Sequence, residues 1–351
     1  MTHPDSPSSK PLPIRATIGL SRLALWMILA IVILVLGIWA TMAIRFSNLP
    51  TETFRLIAAG LYPIGWLFAF IYFKKRLRTA LAFMIVFAGI VVWWNLIPPS
   101  HDRDWTTDVA VLPHISWEGD RFTVHDLRAF EYRSEEDYDV HYVDHTYDMN
   151  EIAYLDFVMS DWGLHEVVHT MLSFGFTDGE HLVLSIESRR EQGEAWSGLK
   201  GLFHQAEVIY VLAGERDLLG LRTNMRKEDV YVIPTIHPPE KVKLVLQSVL
   251  ETVDAIAKQP RWYNTLLHNC TTGLLPHLES VRVQQGFDMR MIKNGYIAEI
   301  GFENGTIDTD LSYKEAGQYF HINQYVPAGP IPDDFSKLIR PYRYELDDSE
   351  N

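Results

Sequence analysis

The chain contains a single cysteine, Cys270, among its 351 residues. An intramolecular disulfide is therefore excluded, and the fold has to be stabilised by its hydrophobic core. The composition, with 47% hydrophobic and 22% charged residues, also excludes a disordered or low-complexity protein. The length allows one large domain or two of modest size.

The first 98 residues contain almost no acidic residues, and the remainder of the chain has no excess of basic over acidic residues. Residues 1–98 carry nine Lys or Arg against two Asp or Glu, a net charge of +7. The rest of the chain carries 22 basic and 43 acidic residues, a net charge of −21. Nucleic-acid binding needs a basic face that neutralises phosphates, so we do not expect a nucleic acid as a partner.

Three uncharged runs near the N-terminus are long enough to cross a membrane: Leu23–Ile44, Leu56–Phe73 and Thr79–Ile97. As a helix, the first would span about 33 Å, enough for the hydrocarbon layer. Pro63 lies inside the second run and is tolerated where neighbouring helices satisfy the freed backbone groups. One alternative for the first run is a cleaved signal peptide, whose apolar core is shorter. Buried helices of a soluble protein are the alternative for all three runs.

Basic residues predict the orientation of these spans. The loop between the second and third runs contains Lys74, Lys75, Arg76 and Arg78, and the N-terminal tail carries three further basic residues. The positive-inside rule places both segments in the cytoplasm and everything after the third run outside it. The predicted organisation is a cytoplasmic tail over 1–22, a transmembrane anchor over 23–98, an extracytoplasmic domain over 99–330 and a polar tail over 331–351.

The region after residue 98 has a mixed pattern that predicts an α+β fold. Asp178-Gly179 stands between two apolar runs, which is a strong hairpin signal. Apolar residues at helical spacing predict a helix over Glu240–Lys258, ended by Pro260. A second helix is expected to begin near Cys270. The predicted strands are Arg121–Tyr132, Val167–Phe176, His181–Glu187, Glu207–Ala213 and Asp229–Ile233.

Cys270 is the first candidate catalytic residue. Asn269 precedes it and could cap the expected helix, which would place the sulfur at a helix N-terminus and lower its pKa. A nucleophilic thiol also needs a base nearby. The alternative is a buried cysteine that acts as a small apolar residue.

His165-Glu166-Val167-Val168-His169 is the second candidate, and it matches the His-Glu-x-x-His zinc signature. That signature needs a helix, whereas the following residues predict a strand leading into the hairpin turn. On a strand, His169 becomes the candidate general base for Cys270. The zinc hypothesis, with His165 and His169 as ligands, and a purely structural histidine remain the alternatives. Otherwise no metal or cofactor is expected.

The third candidate is Glu187, near the end of the second hairpin strand, as the carboxylate that orients the histidine. If Thr177 pairs with Glu180, His169 faces Ser188, and Glu187 lies on the opposite face of the strand. A one-residue bulge would bring Arg189 opposite the histidine instead. A surface charge cluster is the alternative. The expected supporting residues are Ser188, Arg189, Arg190, Asn269 and Thr271.

Two sequence blocks together resemble a known family. The block that begins VVHTMLSFGF and the block YNTLLHNCTTGLLPHL resemble the N-terminal periplasmic domain family of the bacterial lipoprotein N-acyltransferase Lnb, over roughly residues 100–320. The family's His-Thr-x-Leu block falls on His169–Leu172, and its Asn-Cys block falls on Asn269-Cys270. The order of histidine before cysteine also resembles the circularly permuted, NlpC-type branch of the papain-like thiol enzymes.

The resemblance implies a papain-like α+β thiol domain with an antiparallel sheet, anchored in the bacterial inner membrane and facing the periplasm. It implies that Cys270 takes an acyl chain from a phospholipid as a thioester, with help from His169, and passes it to a lipoprotein amine. The backbone N–H of Cys270 would stabilise the oxyanion. A thiol amidase or peptidase acting on the cell wall and a non-catalytic membrane scaffold are the alternative functions.

Overall fold

The computed structural model describes residues 14–281, 290 and 293–344. The chain divides into two compact units, Met1–Pro98 and Pro99–Asn351. Each unit is stabilised in a different way, since the first consists of apolar helices and the second is built around a sheet.

The first unit consists of three helices that are long and apolar enough to cross a membrane, as the uncharged runs predict. They are α1 (Ile14–Arg45), α2 (Glu52–Tyr72) and α3 (Arg76–Asn95). The hydroxyl of Thr51 caps α2, and α2 continues through Pro63. Helix α1 starts inside the segment predicted to be a tail, and the first 13 residues of that tail lie outside the described residues.

The second unit is α+β, as predicted. Its described strands are β1 (His114–Glu118), β2 (Arg121–Arg128), β3 (Glu131–Tyr132), β4 (Tyr138–Asp139), β5 (Tyr142–Asp148), β6 (Ile152–Asp161), β7 (His169–Phe176), β8 (His181–Arg189), β9 (Glu207–Ala213) and β10 (Asp229–Pro234). Its described α-helices are α4 (Glu215–Gly220), α5 (Pro239–Lys258), α6 (Ile297–Glu303), α7 (Tyr313–Tyr319), α8 (Phe335–Leu338) and α9 (Pro341–Tyr344). Six short 3₁₀ segments (Thr107–Val109, Met149–Glu151, Lys200–Leu202, His277–Ser280, Asn294–Tyr296 and Ile322–Gln324) and a π-helical turn (Leu221–Arg226) complete the described elements.

Most of the described strands form one sheet in the order β1-β2-β9-β8-β7-β6-β10, with β5 added beside β2. The predicted sheet is antiparallel, whereas the observed sheet is mixed, because β2 and β9 run parallel where Arg128 meets Ala213. All other described neighbours in this sheet are antiparallel. The strands that carry His169 and Glu187 therefore lie near its centre.

The two faces of the sheet bury different sets of side chains, because successive residues of a strand point to opposite faces. On one face, Leu172, Leu184 and Leu212 pack in a cluster with α5. The seven apolar residues that predict α5 are all buried, and burial of each contributes roughly 1.5–3 kcal/mol. These are Val242, Val245, Leu246, Val249, Leu250, Val253 and Ile256.

The opposite face is covered by α4 and by the C-terminal segment, which differs from the polar tail expected after residue 330. Ile331, Phe335 and Ile339 are buried in one cluster with strands β8 and β9. The physical reason is that these apolar residues recur at helical spacing among the polar ones and complete this side of the core. Residues 345–351 of the expected tail lie outside the described residues.

Arg340 anchors this segment through fully buried ion pairs. Its Nε lies 2.8 Å from Asp156 Oδ2, and its Nη1 lies 2.6 Å from Glu215 Oε2. All three side chains are 0% exposed. Burial disfavours the charge of Glu215, but the charge of Arg340 outweighs it and lowers the pKa of this carboxyl to about 2. The C-terminal segment is therefore tied to the sheet by charge as well as by apolar contact.

We predict that Arg340→Met destabilises the second unit by about 3–5 kcal/mol, because two carboxylates lose their buried partner. The measurement is the thermal unfolding of the purified full chain in detergent. Arg133→Met is the control, since Arg133 pairs with Asp137 and Asp139 at an exposed site and should leave the transition almost unchanged. Equal transitions for Arg340→Met and the wild type would contradict the prediction.

Candidate active site

Cys270 lies in a loop of consecutive turns rather than at the start of the predicted helix. The loop ends in the 3₁₀ segment His277–Ser280. The sequence Thr271-Thr272-Gly273 contains poor helix formers, and the Gly273 backbone packs closely against the side chain of Ile186 on β8. The side chain of Asn269 nevertheless caps the loop as expected, since its Oδ1 accepts the N–H groups of Thr271 and Thr272, each at 2.8 Å.

Asn294 fastens this loop to the start of β7. Its Oδ1 accepts the N–H of Val168, and its Nδ2 donates to Val168 O at 2.6 Å and to Thr271 Oγ1 at 2.7 Å. Thr170 Oγ1 donates to the carbonyl of Cys270 and lies 3.0 Å from Thr271 Oγ1. These side chains are largely buried, so they fix the sulfur beside the residue that precedes His169.

His169 faces a carboxylate on one side and the thiol on the other. Its Nε2 lies 2.7 Å from Ser185 Oγ and 3.2 Å from Glu187 Oε1. The imidazole and the Cys270 thiol lie close enough for each to shift the pKa of the other, and the hydrogen-bonding contacts of the sulfur are Thr271 Oγ1 at 3.8 Å and Val168 O at 3.9 Å. Because Nε2 is engaged with β8, Nδ1 is the ring nitrogen left for the sulfur. The side-chain order is therefore thiol, imidazole, carboxylate, as in thiol catalysts.

Glu187 reaches His169 because the hairpin register differs by one residue from the predicted one. Phe176, rather than Thr177, pairs with Glu180, and a three-residue loop over 177–179 connects the strands. Gly179 has a φ of +87°, the left-handed conformation that such loops place at their third position. Met171 pairs with Ser185. The same register, continued by two residues, places His169 opposite Glu187. Neither predicted partner, Ser188 or Arg189, lies opposite the histidine.

Arg222 holds the carboxylate in place. Its Nη2 donates to Glu187 Oε1 at 3.0 Å, and its Nη1 donates to the carbonyl of Leu218 at 2.9 Å. The Ser185 hydroxyl also donates to Glu187 Oε1, at 2.7 Å. A carboxylate with these partners is fixed in orientation and remains ionised.

The electrostatics of the three groups favour a thiolate–imidazolium pair. Burial disfavours charge on His169, but the negative charges of Glu187 and Cys270 outweigh it and raise its pKa to about 9. Burial also opposes the thiolate, yet His169 and the Thr170 N–H lower the pKa of Cys270 below its ordinary value. In Glu187, the charges of His169 and Arg222 overcome burial and hold the carboxyl pKa well below its usual range.

A small cleft opens beside the site, lined by Ser188, Trp196, Gly201 and Tyr263. Burial is the main cause that raises the pKa of Tyr263, and the charges of Cys270 and Glu187 add to it. The Tyr263 phenol is therefore neutral, and it lies near enough to the thiol to sense its charge. Among the described residues, no acceptor contacts the backbone N–H of Cys270, which leaves this group available to an oxyanion.

The predicted supporting residues separate into two groups. Asn269 and Thr271 hold the cysteine loop, and Ser188 lines the cleft. Arg189, in contrast, is buried and donates to the carbonyls of Val109 and Ala110, so it anchors the segment after the first unit rather than the site. Arg190 lines a polar cavity of about 380 Å³ that also includes Glu187 and Arg222, and its Nη2 lies 3.4 Å from Asp108 Oδ2.

The zinc hypothesis fails on local structure. The signature needs both histidines on one helical face, whereas His169 begins β7 and His165 lies in the preceding loop with a φ of +54°. The His165 ring is hydrogen-bonded through Nδ1 to Asp161 Oδ2 at 2.5 Å, and the His165 side chain is 79% exposed. Among the described residues, no group of three or more His, Cys, Asp or Glu side chains is arranged to hold a metal ion.

The site also depends on Ser185, Asn294 and Arg222, whose roles were not predicted from the sequence. Ser185 is two residues before Glu187, so strand alternation places both on one face and could have indicated it. Arg222 lies in the π-helical turn, a feature often found at functional sites. Asn294 follows a stretch with no local signal, and its role depends entirely on the tertiary fold.

The fold and this geometry define a membrane-associated protein whose second, α+β unit carries a Cys–His–Glu cluster. Residues 138–295 match the family model of the Lnb N-terminal periplasmic domain. This match confirms the family resemblance predicted from the two sequence blocks, and it includes all three residues of the cluster. No curated protein and no solved structure matches the chain.

We predict that Cys270 is alkylated by iodoacetamide at about pH 6, where an ordinary thiol is almost fully protonated. Glu187→Gln should slow this reaction by about 10–100-fold, because removing the charge lowers the pKa of His169 and raises that of Cys270. Intact-mass measurement gives the rate directly, since the chain has one cysteine.

Glu180→Gln is the matched control for this prediction. Glu180 lies at the other end of the hairpin and pairs with His145, so the alkylation rate should stay at the wild-type value. If the alkylation rate of the wild type depends on pH as that of a free cysteine does, Cys270 and His169 do not form an ion pair.

Proposed function

We propose that this protein is an extracytoplasmic cysteine acyltransferase. It would be anchored in a bacterial inner membrane, with its N-terminus on the cytoplasmic side. The observation that carries the proposal is the Cys270–His169–Glu187 arrangement, in which a carboxylate raises the pKa of the imidazole beside a thiol whose own pKa is lowered. Such a pair is reactive at neutral pH without a cofactor.

In the proposed first step, the Cys270 sulfur attacks the carbonyl carbon of a phospholipid acyl ester. The Cys270 backbone N–H stabilises the oxyanion. The carbon–oxygen ester bond then breaks, and the His169 imidazolium gives its proton to the departing lysophospholipid oxygen. Cys270 carries the acyl group as a thioester, and His169 is neutral.

In the second step, an amine attacks the thioester carbonyl carbon. His169 accepts the proton that the amine loses, the carbon–sulfur bond breaks, and the thiolate–imidazolium pair is restored. The acceptor of the proposal is the N-terminal amine of a lipoprotein, in line with the family that residues 138–295 match. Glu187 keeps the imidazole oriented through both steps.

Exposed apolar side chains on the loops around the site support a lipid substrate. Trp196 is 53% exposed, and its loop is joined to the cysteine loop because Thr265 Oγ1 donates to Gly198 O at 2.8 Å. Leu267, three residues before Cys270, is 79% exposed, and Leu164, five residues before His169, is 58% exposed. A cluster of exposed apolar groups around a polar site is typical of contact with a membrane or its lipids.

Two other functions fit parts of the arrangement. A cell-wall amidase or peptidase would use the same three residues, but it would not need the exposed apolar loops. A non-catalytic scaffold would keep the fold and would not need a thiol with a lowered pKa.

We predict that the purified full chain, incubated with phosphatidylglycerol vesicles and no amine, gains the mass of one fatty acyl group. Hydroxylamine should remove this adduct. Cys270→Ala should abolish the adduct, and His169→Ala should slow its formation by about 10²–10⁴-fold because the proton donor is lost. His145→Ala is the control and should react at the wild-type rate. Release of peptides from cell-wall material without an acyl adduct would favour the amidase, and the absence of both reactions would favour the scaffold.

A further inference from the structure

A second cavity, largely apolar, lies next to the cysteine loop and outside the three-residue cluster. It has a volume of about 420 Å³, within the usual range of small-molecule sites. It is partly open to solvent, and a concave, mainly apolar cleft with a few polar side chains is the usual form of a ligand-binding site. Its apolar wall includes Met159, Val168, Ile233, Ala298, Phe302 and Phe320.

Val168 connects this cavity with the thiol. Its side chain is buried in the cavity wall, and its carbonyl oxygen lies 3.9 Å from Cys270 Sγ. Gly295, which also lines the cavity, follows Asn294, the residue that bonds both Val168 and Thr271. Val168 therefore contributes its side chain to the cavity wall and its carbonyl oxygen to the surroundings of the sulfur.

The chemistry of the lining selects the class of ligand. The described wall is mainly aliphatic and aromatic, and its polar side chains are Asp161, His165, Lys314 and Gln318 beside the phenols of Tyr231 and Tyr313. The His165 ring is hydrogen-bonded to the Asp161 carboxylate, so this carboxylate already has a partner within the protein. An unbranched hydrocarbon chain needs no hydrogen bonds and gains affinity with each methylene that leaves water.

We propose that this cavity binds the hydrocarbon of the acyl group while its carbonyl carbon is held at Cys270, and that the cavity sets the preferred chain length. This inference rests on the proposed acyl transfer. Helices α6 and α7, which form one side of the cavity, lie beyond the segment that matches the family model. Chain-length selection would accordingly be a property of this chain.

The test changes the size of the cavity in both directions. Ala298→Phe fills it from α6, and Phe302→Ala enlarges it. Each methylene group that no longer fits in the cavity lowers the binding affinity roughly fourfold. Ala298→Phe should therefore lower the preference for hexadecanoyl over decanoyl phosphatidylglycerol by at least about tenfold. Phe302→Ala should shift the preference towards longer chains. The readout is the mass of the thioester on Cys270 with mixed-chain donors.

Val143→Phe is the matched control, because Val143 lies on β5, is 44% exposed and is not among the residues that line the cavity. It should leave the chain-length preference at the wild-type value. Thermal unfolding identifies any variant that fails to fold. Folded Ala298→Phe and Phe302→Ala chains that form thioesters with unchanged preference would overturn the inference while the proposed function stands.

A second measurement separates the cavity from the chemistry. The Cys270→Ala chain is photolabelled with palmitic acid that carries a terminal diazirine, and the labelled peptides are mapped by mass spectrometry. Labels on the peptides that contain Met159, Ile233 or Phe302, reduced by Ala298→Phe, would support the cavity even if the wild type forms no thioester. No label on those peptides would overturn the inference, whatever the activity.

Discussion

The register of β7 against β8 is the constraint on which the site depends. Strand side chains alternate between faces, so a slip of one residue would turn Glu187 away from His169 and bring Ser188 towards it. The three-residue loop with Gly179 at its left-handed position sets the observed register. A residue that favours negative φ at this position would weaken the loop that brings the carboxylate to the imidazole.

The same sheet face carries a series of paired charges, half-buried at Glu187 and fully buried at Glu215. Glu187 binds Arg222, and further along the face Glu215 binds Arg340 while it accepts a hydrogen bond from Ser173 at 2.6 Å. Unpaired charges there would be costly, whereas paired charges with satisfied hydrogen bonds are tolerated and fix geometry. The C-terminal segment contributes Arg340 to this face, so the integrity of the active-site face depends on residues far along the chain.

Much of the fold could be predicted from the sequence because its signals are local. Three uncharged runs indicate α1 to α3, and the helical spacing of apolar residues indicates α5 within one residue of its observed start. Cys270 and His169 could be identified from residue chemistry and family resemblance. The hairpin register could not, because Asp178-Gly179 fits loops of two or three residues equally well. Asn294 and Arg340 act over more than 100 residues of sequence, and no local pattern encodes such contacts.

The absence of an α-helix at Cys270 changes the account of how its thiol is activated. A helix N-terminus would stabilise a thiolate through aligned backbone dipoles, but Cys270 stands in a loop of turns held by Asn269, Thr271 and Asn294. The imidazolium of His169 and the single N–H of Thr170 replace those dipoles. Reactivity then depends on the charge of His169, and that charge depends on Glu187. The thiol is thus controlled by the hairpin on the neighbouring strands, and the loop that carries it supplies position rather than charge.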